Sequence, residues 1–163
     1  MSEEPLMDAL LLKAPGQLCY CKVRKPTPSR GEILVKVRAC GICGSDVHGM
    51  GGLSGRRIPP IVMGHEAAGI VAEVGPEVTR FKKGDRVTFD STIWCGDCSF
   101  CRSGRVNLCE KRQVLGVSTK EYRRHGAFAE YVAVPERVVY AIPPELSFQE
   151  AALLEPLTVA YHA

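Results

Sequence analysis

The sequence predicts a mainly β domain, compact and barrel-like, with one cysteine-bearing loop and a few short helices. Three observations carry this reading. Short apolar or alternating runs recur from the N-terminal region to Pro143. Sixteen Gly and eleven Pro lie scattered between them, as expected where short strands are joined by turns. Four of the eight cysteines crowd into residues 95–109, which marks a loop with a task of its own.

The strands follow in order. "DALLLKA" (8–14), "QLCYCKVRK" (17–25) and "EILVKVRAC" (32–40) are apolar or alternating runs bounded by Pro and Gly. "EAAGIVAEVG" (66–75) continues the pattern, and "KKGDRV" is a turn feeding a strand over 85–90. "GAFAEYVAVPERVVYAIP" (126–143) is a further strand region, broken by Pro135. The character changes at Leu146. Ser147 followed by Glu150 is a capping box, and Ala151, Ala152, Leu153 and Leu154 continue it as a helix interrupted near Pro156. The expected division is therefore 1–145, including a loop at 90–112, and 146–163 as the start of a helical connection. The pattern runs to Ala163 with no stop signal.

Composition narrows the function. The chain has 163 residues, 45% hydrophobic and 24% charged, enough for one domain with a core. A net charge of +3 is too mild to argue for nucleic acid or an anionic membrane surface. No window approaches the roughly 20 apolar residues of a membrane span. The acidic start "MSEEPLMDALLLKAPG" is unlike a secretory signal, so a cytoplasmic protein is expected.

A reducing compartment favours metal binding over disulfides. Cys95, Cys98, Cys101 and Cys109 follow a C-x2-C-x2-C-x7-C spacing. Each x2 turn brings two sulfurs onto one ion, and four thiolates suit tetrahedral zinc. An iron–sulfur cluster is the alternative, because its ligand runs share the Cys-x2-Cys-x2-Cys pattern. A four-thiolate site has no open position, so it stabilises a loop and any chemistry lies elsewhere.

Two other stretches combine metal ligands with dense glycine. "CGICGSDVHG" (40–49) offers Cys43, Ser45, Asp46 and His48, and "MGHEAAGIVAEVG" (63–75) offers His65 and Glu66. Thiolate, imidazole and carboxylate form a mixed set that suits zinc and leaves room for water or substrate. Cys19, Cys21 and Cys40 read as small buried hydrophobes.

"GHEAAGIVAEVGPEV" (64–78), with "GICGSDVHG", the "FKKGDRV" turn and the four-cysteine loop in the same order, resembles the medium-chain zinc-containing alcohol and polyol dehydrogenases. The resemblance covers nearly the whole chain and matches the N-terminal catalytic domain, a β-barrel fold similar to the co-chaperonin GroES. The tail "LLEPLTVAYHA" (153–163) resembles the sorbitol, galactitol phosphate and threonine dehydrogenase branch, where simple alcohol dehydrogenases carry a cysteine in place of Glu155.

The resemblance implies a catalytic zinc on Cys43 and His65, with Glu66 and Glu155 competing for the remaining positions. It implies oxidation of a secondary alcohol of a polyol or sugar derivative to a ketone, with hydride passing to NAD or NADP. It makes Ser45 and His48 the catalytic proton relay; a local alternative is that Ser45 caps the helix after "GIC". Asp46 then makes a turn bond or orients a ligand histidine. Arg123, Arg124 and His125 read as a solvated loop, or as a place where arginine meets a substrate phosphate.

No G-x-G-x-x-G follows a strand and opens a helix, so no cofactor-binding residue is assigned. "GMGGLSG" (49–55) precedes "RRIPP", which is no helix. A Rossmann domain is expected beyond residue 163, the chain being the front part of an enzyme that is inactive alone and assembles as a homodimer or homotetramer when full-length. Two other classes stay open: a non-enzymatic zinc-bearing β-domain, and a zinc-ribbon-like nucleic-acid binder. Against the second, the cysteines form one knot with no interleaved aromatic platform.

Overall fold

A two-stranded hairpin alone is marginal in water, so short strands persist only where several share one apolar face. In the structure, a computed structural model that describes residues 5–163, they do so in two main sheets. The strands are β1 (Leu6–Ala14), β2 (Gln17–Arg24), β3 (Glu32–Gly41), β4 (Ile61–Val62), β5 (Glu66–Val74), β6 (Arg86–Phe89), β7 (Thr92–Ile93), β8 (Gln113–Val114), β9 (Val117–Ser118), β10 (Arg123–Arg124), β11 (Tyr131–Pro135) and β12 (Val139–Ala141). The helices are α1 (Gly44–Met50), α2 (Ser99–Arg102), α3 (Phe148–Ala152) and α4 (Leu154–His162).

The larger sheet is antiparallel, in the order β11-β3-β5-β6-β12. The smaller one runs β2-β1-β4, and the pairs β7–β8 and β9–β10 complete the set. The β3–β5 register shifts at Leu34/Val35 and again at Val37/Ala39. Such bulges bend a sheet and increase its twist, which curls this one around its core. Ile33, Val35, Val71, Val87, Val134 and Val139 fill that core and are fully buried.

The region 126–143 departs from one interrupted strand. It holds two strands, β11 and β12, with a single bridge from Ala129 to Ala9 before them, and residues 136–138 form a 3-10 turn directly after Pro135. Proline has no N–H to donate to a ladder, so pairing stops there. The expected capping box is present: Ser147 caps α3 and Glu150 reaches back to it. The helix break lies at Leu153, earlier than Pro156. Pro156 instead sits in the first turn of α4, where its missing N–H would have had no partner anyway.

Helix α3 docks on the large sheet. Ala151 and Ala152 pack against Ala68 and Ile142, and Thr88 Oγ1 donates to the carbonyls of Ala67 (3.0 Å) and Ala151 (3.3 Å). Arg86 lies over the Phe148 ring at 4.2 Å. This seat fixes where α4 begins, and therefore where Glu155 sits. Beyond it, Leu157, Val159 and Tyr161 are exposed. No helix among the described residues is long and apolar enough to cross a membrane.

Candidate functional site

The four-cysteine loop forms a small lobe. Strands β7 and β8 close its base, Cys98 is the N-cap of α2, Cys101 lies within α2, and Cys109 ends a 3-10 turn over 106–108. All four sulfurs lie within 4.8 Å of one another. Cys98 and Cys101 are 3.5 Å apart, and Cys95 and Cys101 are 3.9 Å apart. Bonds of 2.3 Å to a tetrahedral zinc would set sulfurs about 3.8 Å apart, so the lobe has the right size.

Its electrostatics point the same way. Backbone groups of Cys101 and Glu110 bond the Cys98 sulfur and pull that thiol down to about 6. Cys95 is pushed up to about 12, its bond to Asp97 being the largest cause. Backbone donors aimed at Cys98 favour its thiolate, and a divalent cation among the four sulfurs would favour the thiolate form of all of them.

The second site gathers where β3 ends and β5 begins. Gly41, the last residue of β3, pairs with Glu66, the first of β5. A Cβ on Gly41 would overlap the Glu66 carboxylate, so the missing side chain makes room for it. Gly64 has φ +88°, a left-handed conformation open to glycine, and it turns the chain so that His65 follows at the strand edge. Cys43 lies two residues beyond β3. The ligand atoms of Cys43, His65 and Glu66 all fall within 4.8 Å of one another. His65 and Glu66 are 7% and 6% exposed.

Cys43 also caps α1. Its sulfur accepts the Ser45 N–H at 3.5 Å, and its own N–H donates to Asp46 Oδ2 at 3.3 Å. The cap of this helix is thus Cys43 in a box with Asp46, and Ser45 lies inside the helix. Asp46 is 2% exposed. Its Oδ1 lies 3.2 Å from Arg57 Nη2 and 3.6 Å from His65 Nδ1.

Burial disfavours a charged His65, but Asp46, 3.6 Å away and too far for a full hydrogen bond, together with Cys43 and Glu155 pushes it up to about 9. Burial likewise opposes charge on Asp46; His65 and Arg57 outweigh it and hold the carboxyl below its usual range. A ring that draws a proton so strongly between a carboxylate and a thiol is one where a metal ion can take the proton's place. With Nδ1 turned toward Asp46, Nε2 is the nitrogen left for a metal. Cys40, beside the site, is pushed up to about 12 by burial and by the Asp46 and Glu66 charges, which suits a neutral thiol.

Glu155 stands outside this trio. Its Oε1 accepts a 2.8 Å hydrogen bond from Ser91, whose side chain is buried, and its charge still reaches His65. Of the trio, His65 reaches a cleft of about 840 Å³, lined also by Ser45, Arg57, Arg56, Val117 and Tyr122, among others. His48 is on α1 and exposed, outside the lining of this cleft.

Arg123, Arg124 and His125 line a different, mostly apolar pocket of about 540 Å³. There Arg124 pairs with Glu32 at 2.5 Å, and His125 Nδ1 accepts the Val62 N–H at 3.1 Å.

Arg57 and Ser91 escape sequence reasoning. Nothing in "SGRRIPP" says that the second arginine turns inward, and Ser91 follows a strand with no motif around it. Only the tertiary arrangement reveals them.

The Alcohol dehydrogenase GroES-like domain model matches residues 29–144. The chain is 40% identical over 159 residues to the zinc-type alcohol dehydrogenase-like protein YdjJ of Escherichia coli (strain K12), covering 94% of this chain and 44% of that protein. It is 43% identical over 141 residues to a sorbitol dehydrogenase of Bacillus subtilis (strain 168), covering 85% and 39%. Among solved structures, the alcohol dehydrogenase rspB of E. coli CFT073, complexed with NADH, superposes with a TM-score of 0.84 at 38% identity, covering 96% of this chain and 44% of that one. The chain thus spans less than half the length of the relatives it matches. With both cysteine-bearing motifs inside the matched region, the chain belongs to the alcohol dehydrogenase family through its GroES-like domain.

Proposed function

We propose that this chain is the metal-holding catalytic part of a zinc-dependent NAD(P) oxidoreductase that oxidises a secondary alcohol of a polyol or sugar derivative to a ketone. One observation carries the reading: Cys43, His65 and Glu66 converge, and His65 of that trio lines a cleft large enough for a small polyol. Three protein ligands leave an open position, as a catalytic metal requires, whereas four thiolates close theirs. The names of the relatives, sorbitol dehydrogenase among them, supply the substrate class.

In this reading a zinc ion at the trio supplies Lewis-acid charge that favours loss of the substrate's hydroxyl proton. Cys43, His65 and Glu66 hold the ion, and Ser91 keeps Glu155 beside the trio, where its carboxylate can accept a substrate hydroxyl or a bound water. Ser45, at the cleft wall, accepts the departing proton and passes it on; a hydroxyl both donates and accepts. His48, exposed three residues further along α1, is the next station toward solvent. Cys95, Cys98, Cys101 and Cys109 hold a second zinc that fixes their lobe.

Residues 1–145 form the catalytic unit, and residues 146–163 lead toward a dinucleotide-binding domain that delivers NAD or NADP. The test is kinetic: Glu155→Cys in the full-length enzyme should cut turnover of sugar alcohols relative to simple alcohols. Unchanged kinetics across a panel of both would remove Glu155 from contact with the substrate.

A further inference from the structure

Arg57 is 5% exposed. Arginine is almost never buried so fully unless it is paired. Its acidic partner is Asp46, at 3.2 Å, and the same Nη2 donates to Ser45 Oγ at 3.3 Å. The other terminal nitrogen, Nη1, is anchored on the Arg56 carbonyl at 3.1 Å, and Nε has no hydrogen-bond partner.

The route to that position is narrow. The Arg57 side chain crosses α1 at Gly49, where a Cβ would overlap Arg57 Cγ. Gly49 is itself buried in the helix. A glycine there costs helix stability of about 1 kcal/mol relative to alanine, so the gap has a use.

We propose that Arg57 is a positioning residue of the mixed metal site, one guanidinium that clamps Ser45 and Asp46 together, and that Gly49 is the gap that lets it in. The inference rests on the reading of Cys43, His65 and Glu66 as a zinc site. Asp46 faces the His65 ring and bonds the Cys43 N–H, so a fixed Asp46 fixes two of the three ligands. Arg57 donates to Ser45 Oγ and so occupies one of its lone pairs. The hydroxyl proton is then turned away from the guanidinium, and the second lone pair stays open to the cleft. Arginine keeps its charge at any working pH and offers a planar fork that lysine lacks.

The test uses the full-length enzyme and two readouts, turnover and the rate at which each zinc is lost to a chelator. The zinc of the four-cysteine lobe is the internal control. In Arg57→Met, zinc loss from the mixed site should accelerate about 10–100-fold, the usual cost of removing an outer partner of a metal ligand. The lobe zinc should leave at its original rate, and kcat should fall with little change in KM. Arg57→Lys should restore part of the loss. Gly49→Ala should reproduce Arg57→Met, and the double variant should be no worse than either alone, because both remove one device.

Wild-type zinc retention and kcat in Arg57→Met would overturn the proposal. So would accelerated loss of both zincs together, which is what a general packing role predicts, or a Gly49→Ala enzyme that behaves like wild type. A parent enzyme holding only the lobe zinc would refute the site reading itself, before any variant is compared.

Discussion

The two cysteine-bearing regions are built on opposite plans. The lobe takes four like ligands from residues 95–109, with one turn of helix and one 3-10 turn between them and two short strands flanking them. The mixed site takes three unlike ligands from the end of β3 and the start of β5, and its neighbour Glu155 from α4, far away in sequence. A local site can be closed by turn geometry alone. A long-range site depends on sheet register, on the docking of α3, and on partners such as Ser91 and Arg57. In the proposed reading, the lobe would give a metal a closed cage, and the mixed site would give it an open position held by the whole fold.

The largest expected effect is on the lobe. Cys98→Ser removes a thiol that backbone donors pull down to about 6 and should abolish metal retention there. Structural zinc in small peptide sites is worth about 10–16 kcal/mol of folding free energy, so the lobe should become protease-sensitive. Limited proteolysis mapped by mass spectrometry would locate the cuts within residues 90–112. A lobe equally resistant without its metal would break the contrast between the sites.

His65→Ala comes next. It should leave the fold and the lobe metal intact and lower kcat/KM of the full-length enzyme by about 1000-fold or more, the scale expected when a metal's transition-state stabilisation is lost. Ser91→Ala should be milder. It frees Glu155 without touching the trio, and an outer-partner loss of about 10–100-fold in activity is expected, read as a kcat/KM ratio. If Ser91→Ala matched His65→Ala, Glu155 would be as essential as the trio itself.

Ser147→Ala should be smallest. It removes the N-cap of α3, at about 1 kcal/mol, as read by denaturant midpoint. The α3 seat on Ala68 and Ile142 remains, so activity should hold.

The same contrast explains what the sequence disclosed. The lobe was legible because its whole ligand set lies in one spacing pattern, and the strands because apolar runs end at Gly and Pro. The Ser147–Glu150 cap was legible for the same local reason. Cys43, His65 and Glu66 could be named as candidates, yet only the Gly41–Glu66 register and the left-handed turn at Gly64 bring them together. The cap of α1 was open only as an alternative role for Ser45; the structure gives it to Cys43, not a customary cap, whose sulfur accepts the Ser45 N–H. Arg57 and Ser91 carry no local signature, since an arginine or serine looks the same in a string whether it faces solvent or a metal site.

The most direct measurement is zinc content by elemental analysis of the purified full-length enzyme, wild type beside His65→Ala. Two unequal sites predict two zinc per chain, falling to one in His65→Ala with the lobe zinc retained. One zinc in the wild type, iron in place of zinc, or two zinc retained in His65→Ala would contradict it.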